Sequence, residues 1–143
     1  MSEDIDFDRI KNKLDELEGY LRDLEEDLPQ NVKEYTKNRV IKRACEKDFE
    51  LISQFLIDVC NLIISQEGLG YPEDNREAIG KLVENEILKK ELGDSLKDMI
   101  SFRNLIVHRY GNIDDSKAYQ HLKEGKNDFF EFINSINSFF SDL

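Results

Sequence analysis

The sequence predicts an all-α protein, an up-and-down bundle of four to five helices. Apolar residues recur every three or four positions along most of the chain, and only two prolines interrupt it. No segment alternates apolar and polar residues as a half-buried strand would. Because the chain has 143 residues, we expect one domain, covering residues 1–143, with neighbouring helices antiparallel across short loops.

The first predicted helix covers residues 4–28 and ends before Pro29. Its apolar residues alternate spacings of three and four, which is typical of a helix that packs along a bundle, while the opposite acidic face is expected to be solvated. The apolar positions are Phe7, Ile10, Leu14, Leu17, Leu21, Leu24 and Leu28.

The second predicted helix begins at Val32 or Tyr35, continues to Gln66 and stops at Gly68. Within it, residues 55–64 are apolar in nearly every direction. This segment is therefore either the central helix of the bundle or also contacts another subunit. Asp58, in its middle, is a candidate buried acid that needs a partner.

Three further helices complete the predicted bundle. A short helix covers Asn75 to Asn85, and a longer one runs from Leu88 to Tyr110, where Gly111 provides a stop. The last helix starts near residues 114–116, which are good N-cap residues. Its expected inner side carries Tyr119, Leu122, Phe129, Phe132, Ile133, Ile136, Phe139 and Phe140.

The sequence predicts a cytoplasmic protein with no membrane span. No apolar run approaches the roughly 18 residues of such a span, and the acidic start MSEDIDFDRI is unlike a signal peptide. Cys45 and Cys60 lie in one predicted helix, about 22 Å apart along its axis, too far for a disulfide. We expect both to be reduced core residues.

The charge of the chain is unevenly distributed. A formal net charge of −11 argues against nonspecific nucleic-acid binding, which needs clustered Lys and Arg. Residues 32–47 are nevertheless basic, so they form either an anion-binding face or a solvated helix start. The cations of this segment are Lys33, Lys37, Arg39, Lys42, Arg43 and Lys47.

Arg103 stands on an apolar stripe of its predicted helix. The residues three and four positions away are all apolar, and a guanidinium does not lose its charge in proteins. Such a position is costly unless an anion meets the arginine. That anion is either an internal carboxylate or a bound ligand. The internal candidates are Glu46, Glu50 and Asp58.

His108 lies near the end of the same helix, with Asn104 one turn before it. Arg103 and His108 diverge by about 140° around an ideal helix, so one chain cannot easily direct both at one ligand atom. Two subunits that pack residues 103–108 of one copy against the same residues of the other, about a two-fold axis, would place both residue types in a shared cleft.

An arginine and a histidine together suit RNA cleavage without metal. Histidine titrates near neutral pH and can move a proton to or from the ribose 2′-hydroxyl or the leaving oxygen. Arginine can hold the phosphate and its developing charge. Because His121 is the only other histidine and no spacing resembles a ligand set, we expect no metal and no cofactor.

The string RNLIVHRY, residues 103–110, resembles the R-N-x-x-V-H-x-Y signature of HepT-like proteins in the HEPN superfamily, the toxin half of HepT/MntA toxin-antitoxin systems. The similarity extends over roughly residues 36–125 and includes NRVIKRACE, LIDVCNLIIS, the Gly-Tyr-Pro loop and EILKKELGDSLKDMISFRNLIVHRYGNID. The N-terminal helix carries no signature of its own.

The resemblance implies a HEPN-like homodimer that acts as a metal-independent endoribonuclease toxin on RNA such as tRNA. Arg103 and His108 match the catalytic pair, and Asn104 matches the polar residue beside them. Tyr110 matches the tyrosine that the partner MntA, a minimal nucleotidyltransferase antitoxin, modifies with AMP. From the residues alone, the position of Tyr110 on the apolar stripe favours a helix-end aromatic that packs on the core.

Two other interpretations stay open. In one, the helical dimer is a non-catalytic module that binds a nucleotide or a nucleotidyltransferase. In the other, Arg103 is only a structural ion pair. If the protein is a ribonuclease, its basic groups must gather at the cleft, and we expect Arg39, Lys42, Arg43 and Arg109 to contact the substrate.

Overall fold

The computed structural model describes residues 2–108 and 114–141, with the side chains of residues 7–106 and 114–141. The helices are α1 (Ser2–Asp27), α2 (Val32–Lys37), α3 (Arg39–Glu67), α4 (Asn75–Glu84), α5 (Lys90–His108) and α6 (Asp115–Ser141). These residues contain no strand, which confirms the all-α prediction. Across the described ranges, no helix is both long and apolar enough to cross a bilayer.

Helix α3 lies at the centre of the bundle, in contact with α1, α2, α4 and α5. These contacts on several sides explain why residues 55–64 are apolar in nearly every direction. The central-helix interpretation is confirmed, and a second subunit is not needed to account for this segment. Its buried residues are Leu56, Ile57, Val59, Cys60, Ile63 and Ile64, while Phe55 and Leu62 are partly buried.

The long helices at the two ends of the chain bury the faces that their periodicity predicts. In α1 the buried positions recur at spacings of three and four, and Phe7 packs edge-on against Phe140 of α6, with ring centroids 5.1 Å apart. The side chains predicted to point inward are buried at Ile10, Leu14, Leu17, Leu21, Leu24, Tyr119, Leu122, Phe129, Phe132, Ile133 and Ile136.

The predicted continuous second helix is wrong at Asn38, where the chain breaks into α2 and α3. Asn38 has extended backbone angles, and its side-chain oxygen accepts hydrogen bonds from the N–H groups of Val40 and Ile41, both at 3.1 Å. It therefore caps the start of α3. This break, together with the separate α2, raises the number of helices above the predicted four to five.

The junction between α4 and α5 differs slightly from its prediction. Helix α5 begins at Lys90 and not at Leu88, which lies in the turn after α4, where its backbone N–H donates to the carbonyl of Leu82 at 3.3 Å. Further along α5, a Cβ at Gly93 would collide with the side chain of Val83 on α4. The absence of a side chain at Gly93 thus permits the two helices to approach closely.

Both cysteines are free and buried, as predicted. Burial raises the pKa of Cys60, and burial, with the carboxylates of Asp27, Asp48 and Glu46, raises the pKa of Cys45 to about 12. Because the thiolate is the reactive form, both side chains are inert packing groups near neutral pH.

Candidate functional site

Helix α5 places Arg103 at the boundary between core and solvent. Met99, Ile100, Phe102 and Ile106 are all buried, whereas Arg103 is only partly buried. The apolar neighbours predicted from helical spacing are therefore present. The guanidinium nevertheless lies at the edge of the stripe, where a long side chain can bury its methylene stem and keep its charged head near water.

Arg103 contacts two side-chain amides. One terminal nitrogen, Nη1, donates to Oδ1 of Asn104 at 3.3 Å, and Nη2 donates to Oε1 of Gln54 on α3 at 3.5 Å. Both acceptors are neutral oxygens. The described contacts of Arg103 thus leave its positive charge uncompensated by a carboxylate.

The predicted internal ion pair of Arg103 is wrong for two of its candidate partners. Asp58 pairs with Lys13 of α1 at 3.6 Å, and Glu50 pairs with Lys47 at 3.8 Å. The prediction of Asp58 as a buried acid is also wrong, because its side chain is 32% exposed. Asp58 lies on the flank of α3 that faces α1 and solvent.

The other three predicted site residues of the motif lie at or beyond the limit of the described structure. His108 is the last residue of α5, five positions after Arg103, and its side chain is not among those described. Arg109 and Tyr110 fall outside the described residues. The structure therefore brings Arg103 and Asn104 together, and the placement of the other three side chains remains a prediction.

The basic segment at the start of α3 is divided between exposed and paired cations. Arg39 and Arg43 are exposed, as is Val40 between them. Lys42 instead forms a partly buried ion pair with Asp115 at the start of α6, with Nζ to Oδ2 at 2.9 Å. Among the described residues Arg39 and Arg43 form no ion pair, whereas the charge of Lys42 is offset.

This basic segment lies toward the same end of the bundle as the motif. Phe49 of α3 packs edge-on against Phe102 of α5, with ring centroids 5.5 Å apart, so the first half of α3 neighbours the last part of α5. Asp115, which holds Lys42, follows the motif in the chain by only a few residues. Cations near a phosphate site would raise the local concentration of a polyanion.

His121 of α6 stacks on Phe102, with ring centroids 4.6 Å apart. It is therefore a packing partner of the residue that precedes Arg103. In the ranges that the structure describes, no three or more His, Cys, Asp or Glu side chains are grouped so that they could hold a metal ion.

Sequence reasoning missed Gln54, the described side chain of α3 that contacts Arg103. The two residues are 49 positions apart, and a glutamine on a helix is ordinarily a solvated surface residue. The sequence offers one indication that Gln54 has a side-chain partner: Asp58 is four positions later, which places both residues on one face of α3.

Comparison with known proteins identifies relatives over most of the chain. The family model described as Ribonuclease HepT-like matches residues 10–136. The mRNA nuclease HepT of Shewanella oneidensis is 30% identical over 98 residues, which are 68% of each chain. The tRNA nuclease HepT of Aphanizomenon flos-aquae is 25% identical over 134 residues, 94% of this chain and 91% of the relative.

A solved structure has the same fold. It is the tri-AMPylated HEPN toxin of Shewanella oneidensis in complex with an MNT antitoxin, with a TM-score of 0.84 at 22% identity. The similarity covers 90% of this chain and 96% of that one. The family model covers most of the chain and the curated relatives carry the same family name, so the chain belongs to the HepT-like ribonuclease family.

Proposed function

We propose that this protein is the toxin of a toxin-antitoxin system and acts as a metal-independent endoribonuclease. The observation that carries the proposal is the set of hydrogen-bond partners of Arg103. Its described partners are the neutral oxygens of Asn104 and Gln54, so its charge stays available for a phosphate. The names of the curated relatives, an mRNA nuclease and a tRNA nuclease, support RNA as the substrate class.

In the proposed reaction His108 acts as the acid-base group. It either takes the proton of the ribose 2′-hydroxyl, whose oxygen attacks the adjacent phosphorus, or protonates the 5′-oxygen as its bond to phosphorus breaks, and water exchanges the other proton. Arg103 stabilises the crowded, negatively charged phosphorane, and Asn104 holds the guanidinium from its own helix. The products are a 2′,3′-cyclic phosphate and a 5′-hydroxyl.

We propose that substrate binding uses Arg39 and Arg43, the two exposed cations at the start of α3, together with Arg109 of the motif. Lys42 contributes less, because its ion pair with Asp115 offsets its charge. Concentrating cations at one end allows a chain with a net charge of −11 to bind a polyanion. Because RNA is the substrate, the proposed location is the cytoplasm.

The active species in this proposal is a homodimer with the two motifs at a shared cleft. Leu105, directly after Asn104 in the motif, is 44% exposed and is therefore available for burial at an interface. A two-fold axis near Leu105 would cover this side chain in both copies and bring two Arg103 side chains near two His108 side chains.

The proposed antitoxin is a minimal nucleotidyltransferase of the MntA type that adenylylates Tyr110. The description of the structural relative as AMPylated and bound to an MNT antitoxin supports this proposal. AMP groups two positions after His108 would add bulk and negative charge where the substrate phosphate binds. Modification would thereby switch the nuclease off.

Incubation with the antitoxin and ATP tests this proposal. We expect AMP to appear on the protein by mass spectrometry, RNA cleavage to stop, and the Tyr110→Phe variant to remain active and unmodified. If the unmodified protein forms a tight complex with the antitoxin but never cuts RNA, the proposed activity is wrong, and the chain is a non-catalytic helical dimer that binds its partner.

A further inference from the structure

Gln54 uses the two halves of its side-chain amide on two different partners. Its Oε1 accepts a hydrogen bond from Nη2 of Arg103 at 3.5 Å, and its Nε2 donates to Oδ1 of Asp58 at 3.0 Å. Gln54 is itself exposed, so neither contact is required to satisfy a buried group. The contacts instead connect the arginine of α5 to the flank of α3.

Asp58 determines which way the amide of Gln54 points. A carboxylate only accepts hydrogen bonds, so the NH₂ group of Gln54 must face Asp58, which leaves the carbonyl oxygen to face Arg103. Asp58 is fixed in turn by Lys13 of α1, at 3.6 Å. The ammonium of Lys13 also lies over the ring of Phe55, 4.9 Å from its centroid.

The contact with Arg103 is made by an amide, and a carboxylate in the same place would act differently. A carboxylate would form an ion pair with the guanidinium and compete with a substrate phosphate for it. The amide oxygen orients the guanidinium without neutralising it. The acid of this group, Asp58, is separated from Arg103 by the side chain of Gln54, and Lys13 compensates its negative charge.

We propose that Gln54 is a positioning residue for Arg103, held in orientation by Asp58 and Lys13. This inference rests on the proposed ribonuclease activity. It assigns a role to a residue outside the motif and gives α1, which carries no signature of its own, an influence on the site. Gln54 acts on the arrangement of the arginine, and the substrate contacts belong to Arg103.

The test is the Gln54→Met variant, which keeps the length of the side chain but removes the amide and with it both hydrogen bonds. We expect kcat for RNA cleavage to fall about tenfold with KM nearly unchanged, because a hydrogen bond to a charged group that orients the transition state is lost. The melting temperature should stay that of the wild type, since Gln54 is exposed. A wild-type kcat in this variant would overturn the proposal.

Gln120→Met is the matched control. Gln120 also donates to an acid four positions later in its helix, Glu124, at 2.7 Å, but the described contacts of this pair do not involve Arg103. This variant should cleave RNA at the wild-type rate. An equal loss in both variants would mean that the effect is general to such pairs and would overturn the assignment to Gln54.

NMR of the Arg103 guanidinium separates failure of this inference from failure of the proposed function. Its rotation about the Nε–Cζ bond should be faster in Gln54→Met than in the wild type, and an unchanged rate would overturn the positioning role. This readout does not depend on RNA. If the wild-type protein cuts no RNA, the proposed function fails on its own, and the NMR result still decides whether Gln54 holds Arg103.

Discussion

Arg103 is partly buried on α5 and donates hydrogen bonds to two neutral amide oxygens, those of Asn104 and Gln54. Helical spacing placed it correctly beside Met99, Ile100 and Ile106, all buried. Spacing gives only angles within one helix, however, and the acceptor on the neighbouring helix is Gln54, which no local pattern connects to it. The motif string identified Arg103 and Asn104, while their supporting residue depended on the packing of α3 against α5.

Replacement of Arg103 tests whether the residue is structural. We expect Arg103→Ala to change the free energy of unfolding by no more than about 1 kcal/mol, because its partners are amides at the surface and no described carboxylate is orphaned. Urea denaturation measures this change. A loss of several kcal/mol would contradict it and would indicate a buried ion pair.

Phe102→Ala is the control on the same helix. Phe102 is 6% exposed and packs against Phe49 and His121. We therefore expect Phe102→Ala to lower the free energy of unfolding by about 3–5 kcal/mol. Together the two neighbouring variants separate a functional side chain from a packing one.

Among the elements, the long helices were predictable and the break between α2 and α3 was not. The apolar period of α1 and α6 is regular over many turns, so their inner faces could be read directly. At Asn38 the residues on both sides are polar, and neither glycine nor proline marks the break. The signal was Asn38 itself, a good N-cap residue, and its capping hydrogen bonds become evident only in the structure.

The contact between the end of α1 and α3 contains an acid that makes stability depend on pH. Burial, followed by the neighbouring carboxylates of Asp27 and Asp23, raises the pKa of Asp48 from 3.8 to about 8. Its Oδ2 is buried and accepts no hydrogen bond from the described residues. Protonated Asp48 can donate to Asp27, so the neutral form is the one that the fold favours.

We predict that the free energy of unfolding falls as pH rises from about 4 to about 8. The folded state holds the proton of Asp48 to higher pH than the unfolded chain does, so the stabilisation is complete below the unfolded pKa and is lost as pH passes the folded one. Asp48→Asn, neutral at every pH, should flatten this slope. Denaturation of both proteins at several pH values in this range measures how the free energy of unfolding depends on pH. The same slope in both proteins would contradict the prediction.

For the whole molecule, the sequence was sufficient to predict an all-α bundle. The structure explains why one segment of that bundle is apolar on all sides. Residues 55–64 lie in the central helix, so their all-round apolar character reflects neighbours in the same chain. The overall negative charge conceals an exposed basic site at the start of α3. Sequence could locate these cations, but only packing distinguishes paired Lys42 from exposed Arg39 and Arg43.

The proposed activity is measured as cleavage of RNA by the wild type and by His108→Ala with a chelator present. We expect the wild type to cut RNA without divalent metal and to leave 2′,3′-cyclic phosphate ends, because the attacking group is the neighbouring 2′-hydroxyl. We expect His108→Ala, folded as the wild type, not to cut. Cleavage by His108→Ala at the wild-type rate, or a wild type that cuts only with added metal, would contradict the proposal.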